Sequence, residues 1–199
     1  MPVFDVNEIQ KVIDPLLGTT ADPELMFDRV AKALAARWPG QVEPELRWHV
    51  LWSAGFVHKV ALLHLSTSEY VILAGAATSS MGATGPFAAD LHNFILLGAI
   101  EHYGEHDWEV TTSRPGDRIF TPRDVGMGTN IPEFVWFVEY CRGPVPRMFF
   151  SMLLGAIVAT FDVGTVVRIL RLGTAITLRQ GWARFRSRPV GQWLFPKVV

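Results

Sequence analysis

Cysteine is almost missing from this chain: among 199 residues there is one, Cys141. A single thiol excludes an internal disulfide and a cysteine-based zinc site, and leaves Cys141 as a small buried hydrophobe. Charge is scarce as well. Asp, Glu, Lys and Arg make up 19% of the residues, against about 25% in ordinary soluble domains. Hydrophobic residues reach 49% and the mean hydropathy is +0.23. Yet no uncharged apolar run attains the ~18 residues of a spanning helix. The longest, Met148–Phe161, has fourteen, which fits a buried or interfacial helix better. The opening stretch MPVFDVNEIQ is acidic and lacks an apolar run, so no signal peptide is expected. No Lys follows GAATSSMG as a phosphate-binding loop requires, and Ser79 and Ser80 lie in no nucleophile elbow. His102 and His106 are spaced i, i+4 but have no third ligand nearby, so no metal site is expected.

What charge there is lies unevenly. Residues 147–199 hold eight Arg or Lys against one acid, Asp162, a local charge of +7 that leaves −8 for residues 1–146. Such asymmetry points to a basic end that meets anionic lipid or an acidic partner. Nucleic acid is the poorer reading, because the basic residues are embedded in apolar sequence with no recognition motif.

The length suits one domain with a sizeable core. Residues 5–54 read as N-terminal helices: a short one closed by Pro15 and Gly18, then a second with Asp22 as N-cap and Pro23 at its first position, stopped by Pro39-Gly40. Within that region Glu45–Trp52 reads as a short helix or turn. Residues 55–146 are short β-rich runs between Gly, Pro, Asn and Asp, the texture of a compact antiparallel sheet or barrel. Residues 147–186 form a helix pair bent at Asp162 and Gly164. Arg168, Arg171 and Arg179 share one face of the second helix, with Val166, Ile169, Leu170 and Ile176 mostly opposite. That pattern fits a helix lying in a membrane interface, or a basic solvated face over a protein core. The tail, residues 187–199, has no periodicity and carries Trp193 and Phe195 as anchors.

The chain is organised around residues 67–93, which read as a strand, a glycine-rich turn and a return segment carrying Asp90. The other informative acid is Glu139, inside the apolar run FVWFVEYCRG. A lone carboxyl there is costly unless it is paired or protonated. Alternation does not decide its side, since Trp136, Phe137, Val138 and Tyr140 leave no polar face.

LLHLSTSEYVILAGAA at 62–77, GATG at 82–85, Asp90, Gly98 and VEYCRGPVP at 138–146 resemble the fungal sterol Δ8-Δ7 isomerases and the sigma non-opioid intracellular receptors, over roughly residues 5–186. The resemblance implies an α+β fold: a cupin-like antiparallel β-barrel with N-terminal helices and two C-terminal membrane-adjacent amphipathic helices. It also implies homo-oligomers and an intracellular membrane, that of the endoplasmic reticulum, with peripheral or monotopic attachment through residues 147–186. Glu139 matches the family's functional glutamate. Asp90 sits where the fungal enzymes have an aspartate and the sigma receptors a glutamate. Two carboxyls in one greasy pocket push their pKa values apart. One then donates a proton to an alkene while the other removes a proton from the neighbouring carbon, with no cofactor. The same pocket would hold an ammonium that mimics the cation. Asp90 and Glu139 are therefore the candidate catalytic pair, and Tyr70, Asn93, Glu69 and Trp136 the candidate ligand contacts, with Glu69 also readable as a structural hydrogen-bonding acid.

Three departures from the family pattern are visible: Asn93 for the sigma-receptor aspartate, Ala83 for a histidine, and ATSS at 77–80 for Thr-Ala-Leu-Gly. Three readings follow. One is a cofactor-independent Δ8 to Δ7 sterol isomerase. Another is a receptor-like binder of sterols or hydrophobic amines. The third is a non-catalytic accessory or scaffold subunit of a larger membrane complex.

Overall fold

In a computed structural model that describes residues 2–53 and 55–186, two short helices open the chain. Helix α1 (Val6–Ile13) starts at Asp5, whose side chain accepts the backbone N–H groups of Asn7 and Glu8, satisfying amides that have no partner inside the helix. Asp22 caps helix α2 (Pro23–Arg37) in the same way, with Pro23 at its first position. Met26, Phe27, Val30, Ala31 and Leu34 of α2 are buried, a spacing that makes one apolar face.

Ten strands follow among the described residues: β1 (Trp48–Ser53), β2 (Phe56–Leu65), β3 (Glu69–Ala76), β4 (Ser80–Thr84), β5 (Asp90–Gly98), β6 (Ile100–Gly104), β7 (Thr111–Ser113), β8 (Arg118–Thr121), β9 (Met127–Ile131) and β10 (Val135–Arg142). They form two sheets, in the orders β1-β2-β3-β10-β5-β8 and β4-β9-β6-β7, with antiparallel neighbours throughout. Helices α3 (Val145–Thr160) and α4 (Val163–Arg186) complete the chain. The α+β class, the N-terminal helices and the C-terminal helix pair are as expected. The β body is a pair of sheets rather than one continuous hydrogen-bonded ring.

The six-stranded sheet is covered on both sides. Against one face pack α1 and α2, through Ile9, Phe27, Val30 and Leu34 onto Leu73, Val138 and Tyr140. Over the other lie α3, α4 and the smaller sheet, through Met148 and Ile176 in one cluster and Ile100 and Ile131 in another. Every residue of β3 is buried for this reason, and a strand buried on both faces reads as an unbroken apolar run.

Two local expectations are corrected. Trp48–Ser53 is a strand, not a short helix or turn; it pairs with β2 along its whole length, from Trp48↔Ala61 to Ser53↔Phe56, so ladder hydrogen bonds decided a segment whose local signal was mixed. The GATG stretch is not a turn either. After β3 the chain crosses to the smaller sheet, where Gly82 pairs with Thr129 of β9, and then returns as β5. Gly82 is required because a Cβ there would stand 2.4 Å from the Gly55 carbonyl oxygen.

The bend between α3 and α4 lies where expected. Phe161 takes a left-handed φ of 55°, and Asp162 accepts the Thr165 N–H at 2.8 Å. Val166, Ile169 and Ile176 face inward, whereas Leu170 is 49% exposed. Trp193 and Phe195 lie outside the described residues.

Candidate ligand-binding cavity

Strand alternation sets the site. Along β10, Phe137, Glu139 and Cys141 point away from the α1–α2 layer, while Trp136, Val138 and Tyr140 point into it. Glu139 pairs across the backbone with Ile72 of β3 on one side and Asn93 of β5 on the other. These residues form one wall of an internal cavity of about 70 Å³. Thr129 and His102 belong to the facing wall, and Met148 and Met152 of α3 form the roof.

Tyr70 Oη donates a hydrogen bond to Glu139 Oε1 at 2.5 Å. Burial raises the Glu139 carboxyl to about 6, with the Tyr70 hydrogen bond pulling the other way. Its residual accessible surface faces the cavity that it lines. The Tyr70 phenol is fully buried. Burial first, and then the neighbouring Glu139 charge, hold it well above its ordinary value. Asn93 Oδ1 is buried without a hydrogen-bond partner. Thus Tyr70, Asn93 and Glu139 of the expected set are brought together. Cys141 is buried beside them, as a small hydrophobe would be.

The other three lie elsewhere. Asp90 is three positions from Asn93 on β5, and an odd spacing on a strand puts its side chain on the opposite face. It accepts the Arg123 backbone N–H at 3.0 Å and pairs with Arg123 Nη2 at 3.3 Å. Partial burial raises its carboxyl, but the hydrogen bonds and charge of Arg123 outweigh this and leave it below the ordinary value. The expected sharing of one pocket by Asp90 and Glu139 is therefore not met. Trp136 faces the helix layer, edge-on to Phe27 with ring centroids 5.1 Å apart. Glu69 lies on that side too. It accepts from Val3 N at 2.6 Å and Tyr140 Oη at 3.0 Å, with Phe4 N at 3.5 Å. It ties the N-terminal segment to the sheet and stands outside this cavity.

Sequence reasoning missed three further lining residues, His58 on β2 of the same sheet and His102 and Thr129 on the facing wall. His58 lies between exposed Val57 and Lys59, so alternation along FVHKVALL could have turned it inward. Burial pushes its imidazole down to about 4. His102 is likewise lowered, by burial, and its Nε2 lies 3.0 Å from Ser113 Oγ. Thr129 carries no sequence signal that separates it from a surface threonine. Conversely, Ala83 and residues 77–79 are exposed, so two of the three departures from the family pattern lie outside the cavity. The third, Asn93, lines it. Among the described residues no group of three His, Cys, Asp or Glu side chains is placed to hold a metal ion.

The cavity between the two sheets is mainly apolar and holds one carboxyl, the kind of lining that small-molecule pockets have. The family model for ERG2 and Sigma1 receptor like proteins matches residues 1–180, and the chain belongs to that family. It is 30% identical over 181 residues to sigma non-opioid intracellular receptor 1 of Xenopus tropicalis, covering 88% of this chain and 80% of the receptor. It is 25% identical over 137 residues to the protein erg2 homolog of Dictyostelium discoideum, covering 69% of this chain and 59% of that protein. Among solved structures, an RmlC-like cupin from Shewanella frigidimarina overlays on 50% of this chain and 85% of its own, with a TM-score of 0.40 and 13% identity.

Proposed function

We propose that the cavity binds a hydrophobic molecule through one amine or sterol-type hydroxyl held by Glu139, and that it does so without turnover. One observation carries this reading: Glu139 stands in a mainly apolar cavity with, among the described residues, a single protein donor, Tyr70. A carboxyl so placed has acceptor capacity left for a ligand, and an ammonium there would replace the missing second donor with a charge-assisted hydrogen bond. The similarity to sigma non-opioid intracellular receptors supports it. The isomerase reading asks for a second carboxyl beside Glu139, and Asp90 is held by Arg123 on the other face of the sheet. The scaffold reading draws on all three departures from the family pattern. Ala83 and residues 77–80 lie outside the cavity and do not weigh against ligand binding, whereas Asn93 lines it and changes its polarity without closing it.

The cavity as packed is smaller than the ~300–1,000 Å³ of most ligand pockets, so binding requires the roof to move. Met148 and Met152 suit that role, being unbranched and adaptable. The site would sit beside a lipid surface. Phe150, Leu154 and Val158 of α3 and Phe161 at its C-cap are exposed apolar residues, and so are Leu178, Trp182 and Phe185 of α4. Exposed Arg168 and Arg171 accompany them, a combination suited to a membrane interface. No helix among the described residues is long and apolar enough to cross a membrane.

Displacement of a tertiary-amine probe from the full chain in mild detergent tests the reading. Wild type should bind it, and Glu139→Gln should weaken it about 10- to 100-fold, the scale of one hydrogen bond to a charged group. Equal affinity of the two proteins would overturn the proposal. Incubation with a Δ8 sterol should yield no Δ7 product; a Δ7 product would replace binding by catalysis.

A further inference from the structure

The wall that faces Glu139 is polar in a way that a hydrocarbon ligand cannot use. Thr129, on β9, is 6% exposed, lines the cavity, and its Oγ1 has no hydrogen-bond partner. The cavity's other two threonines differ. Thr121 Oγ1 lies 3.0 Å from Met127 Sδ, and Thr84 Oγ1 donates to the Met127 carbonyl at 3.5 Å. Thr129 alone of the three keeps its hydroxyl for whatever enters. Beside it, His102 is its register partner on β6 and lines the same space. Across the cavity, Asn93 Oδ1 is also without a partner. A buried hydroxyl or amide left unpaired costs about 1–3 kcal/mol, so two of them in one enclosure point to a ligand that supplies the missing bonds.

We propose that Thr129 forms a second polar subsite, and that the preferred ligand is a hydrophobic amine that also carries a hydroxyl, with the amine at Glu139 and the hydroxyl at Thr129. This rests on the ligand-binding reading above and narrows it to a class. Glu139 and Thr129 stand on facing sheets, and packed sheets lie about 10 Å apart, so the two groups of the ligand are separated by a few bonds rather than by the length of a sterol. The threonine hydroxyl both donates and accepts. It therefore takes a ligand hydroxyl in either sense and rejects a bare methylene.

The test uses matched tertiary amines of equal chain length, one purely hydrocarbon and the others hydroxylated at successive carbons from the nitrogen. Binding to the full chain in mild detergent is measured by titration calorimetry. For at least one hydroxyl position wild type should prefer the hydroxylated amine by about tenfold. Thr129→Val, which keeps the side-chain shape, should erase that preference, so that the hydroxylated amine binds no better than its hydrocarbon match. Glu139→Gln should weaken both amines alike. A wild type with no preference at any hydroxyl position, or a Thr129→Val protein that retains it, overturns the subsite; the second result would mean that trapped water, not Thr129, meets the hydroxyl. A Glu139→Gln protein that binds the hydrocarbon amine like wild type overturns the parent reading instead, and the Thr129 preference is still read from the matched pairs.

Discussion

The two faces of the central sheet carry the same pair of side chains put to opposite ends. Strand β3 supplies Glu69 and Tyr70, strand β10 supplies Glu139 and Tyr140, and each glutamate accepts from the tyrosine of the other strand. On the helix-covered face Glu69 is fully buried and has two further donors, the amides of Val3 and Phe4. On the cavity face Glu139 has Tyr70 alone. A carboxylate with several donors is a structural clasp, because little acceptor capacity is left to offer. A carboxyl with one donor and an apolar void in front of it is poised for a ligand. Residue type does not separate the two; the count of donors does.

The largest effect should fall on the clasp. Glu69→Ala leaves two backbone amides without their acceptor and the Tyr140 hydroxyl with only its longer contact to the Phe4 carbonyl at 3.4 Å, and truncating one member of a buried charged network costs about 3–5 kcal/mol. Denaturant unfolding should show that loss, and Glu69→Gln, which keeps one acceptor oxygen, should show a smaller one. A change below about 1 kcal/mol for the alanine variant would break the distinction between the faces. Glu139→Gln should behave inversely: ligand affinity falls about 10- to 100-fold while the unfolding midpoint holds or rises, since the variant no longer carries a buried group that resists ionisation.

The pH dependence sharpens the contrast. Glu139 titrates near 6 in the fold and near 4.3 when unfolded. Between those values the folded state holds a proton that the unfolded state has released, so stability is greatest below the unfolded pKa and falls as pH rises through the folded one. The loss is about 2 kcal/mol in total. Unfolding of wild type and Glu139→Gln at pH 4 and pH 7.5 should differ by about that amount, with wild type the more pH-sensitive. Amine affinity should move the other way, rising through pH 6 as the carboxylate forms. Parallel pH profiles for the two proteins would remove Glu139 from the list of buried titrating groups.

Much of the fold was legible in the chain. Asp22 and Pro23 mark the start of α2, the Pro39-Gly40 pair its end, and YVILAG a buried strand, because caps, breakers and β-branched runs act locally. Glu139 stood out as an acid in an apolar run. What could not be read was parity. DLHNFILLG of β5 shows no clean alternation, since one of its faces packs on helices and the other on the cavity, and a one-residue change of register sends each side chain to the other face. The pairing of Asp90 with Glu139 rests on the family resemblance, and the pattern of β5 holds nothing that would speak against it, although Asn93 is the residue beside Glu139. The crossing of β4 to the second sheet was hidden for a similar reason: Gly82 and Gly85 signal unusual backbone, and a turn and a close crossing call for the same residue.

Asp90→Asn should have the smallest effect, and it is the sharpest check on which acid belongs to the cavity. Its carboxylate is 29% exposed and its partner Arg123 is 58% exposed, so solvent screens the pair and the expected loss of stability is under about 1 kcal/mol. The lowered Asp90 pKa makes the sign definite: the contribution is present above the unfolded carboxyl value and is lost as pH falls through the folded one. The variant should therefore approach wild type in acid, as Asp90 takes up its proton in the fold, and fall slightly behind it at neutral pH. Its affinity for a tertiary amine should stay within twofold of wild type, because nothing on the cavity side of β5 changes. A loss as large as that of Glu139→Gln would mean that the charge at Asp90 acts through the sheet on the bound amine, and the contrast between the two faces would have to be drawn along β5 instead of across it.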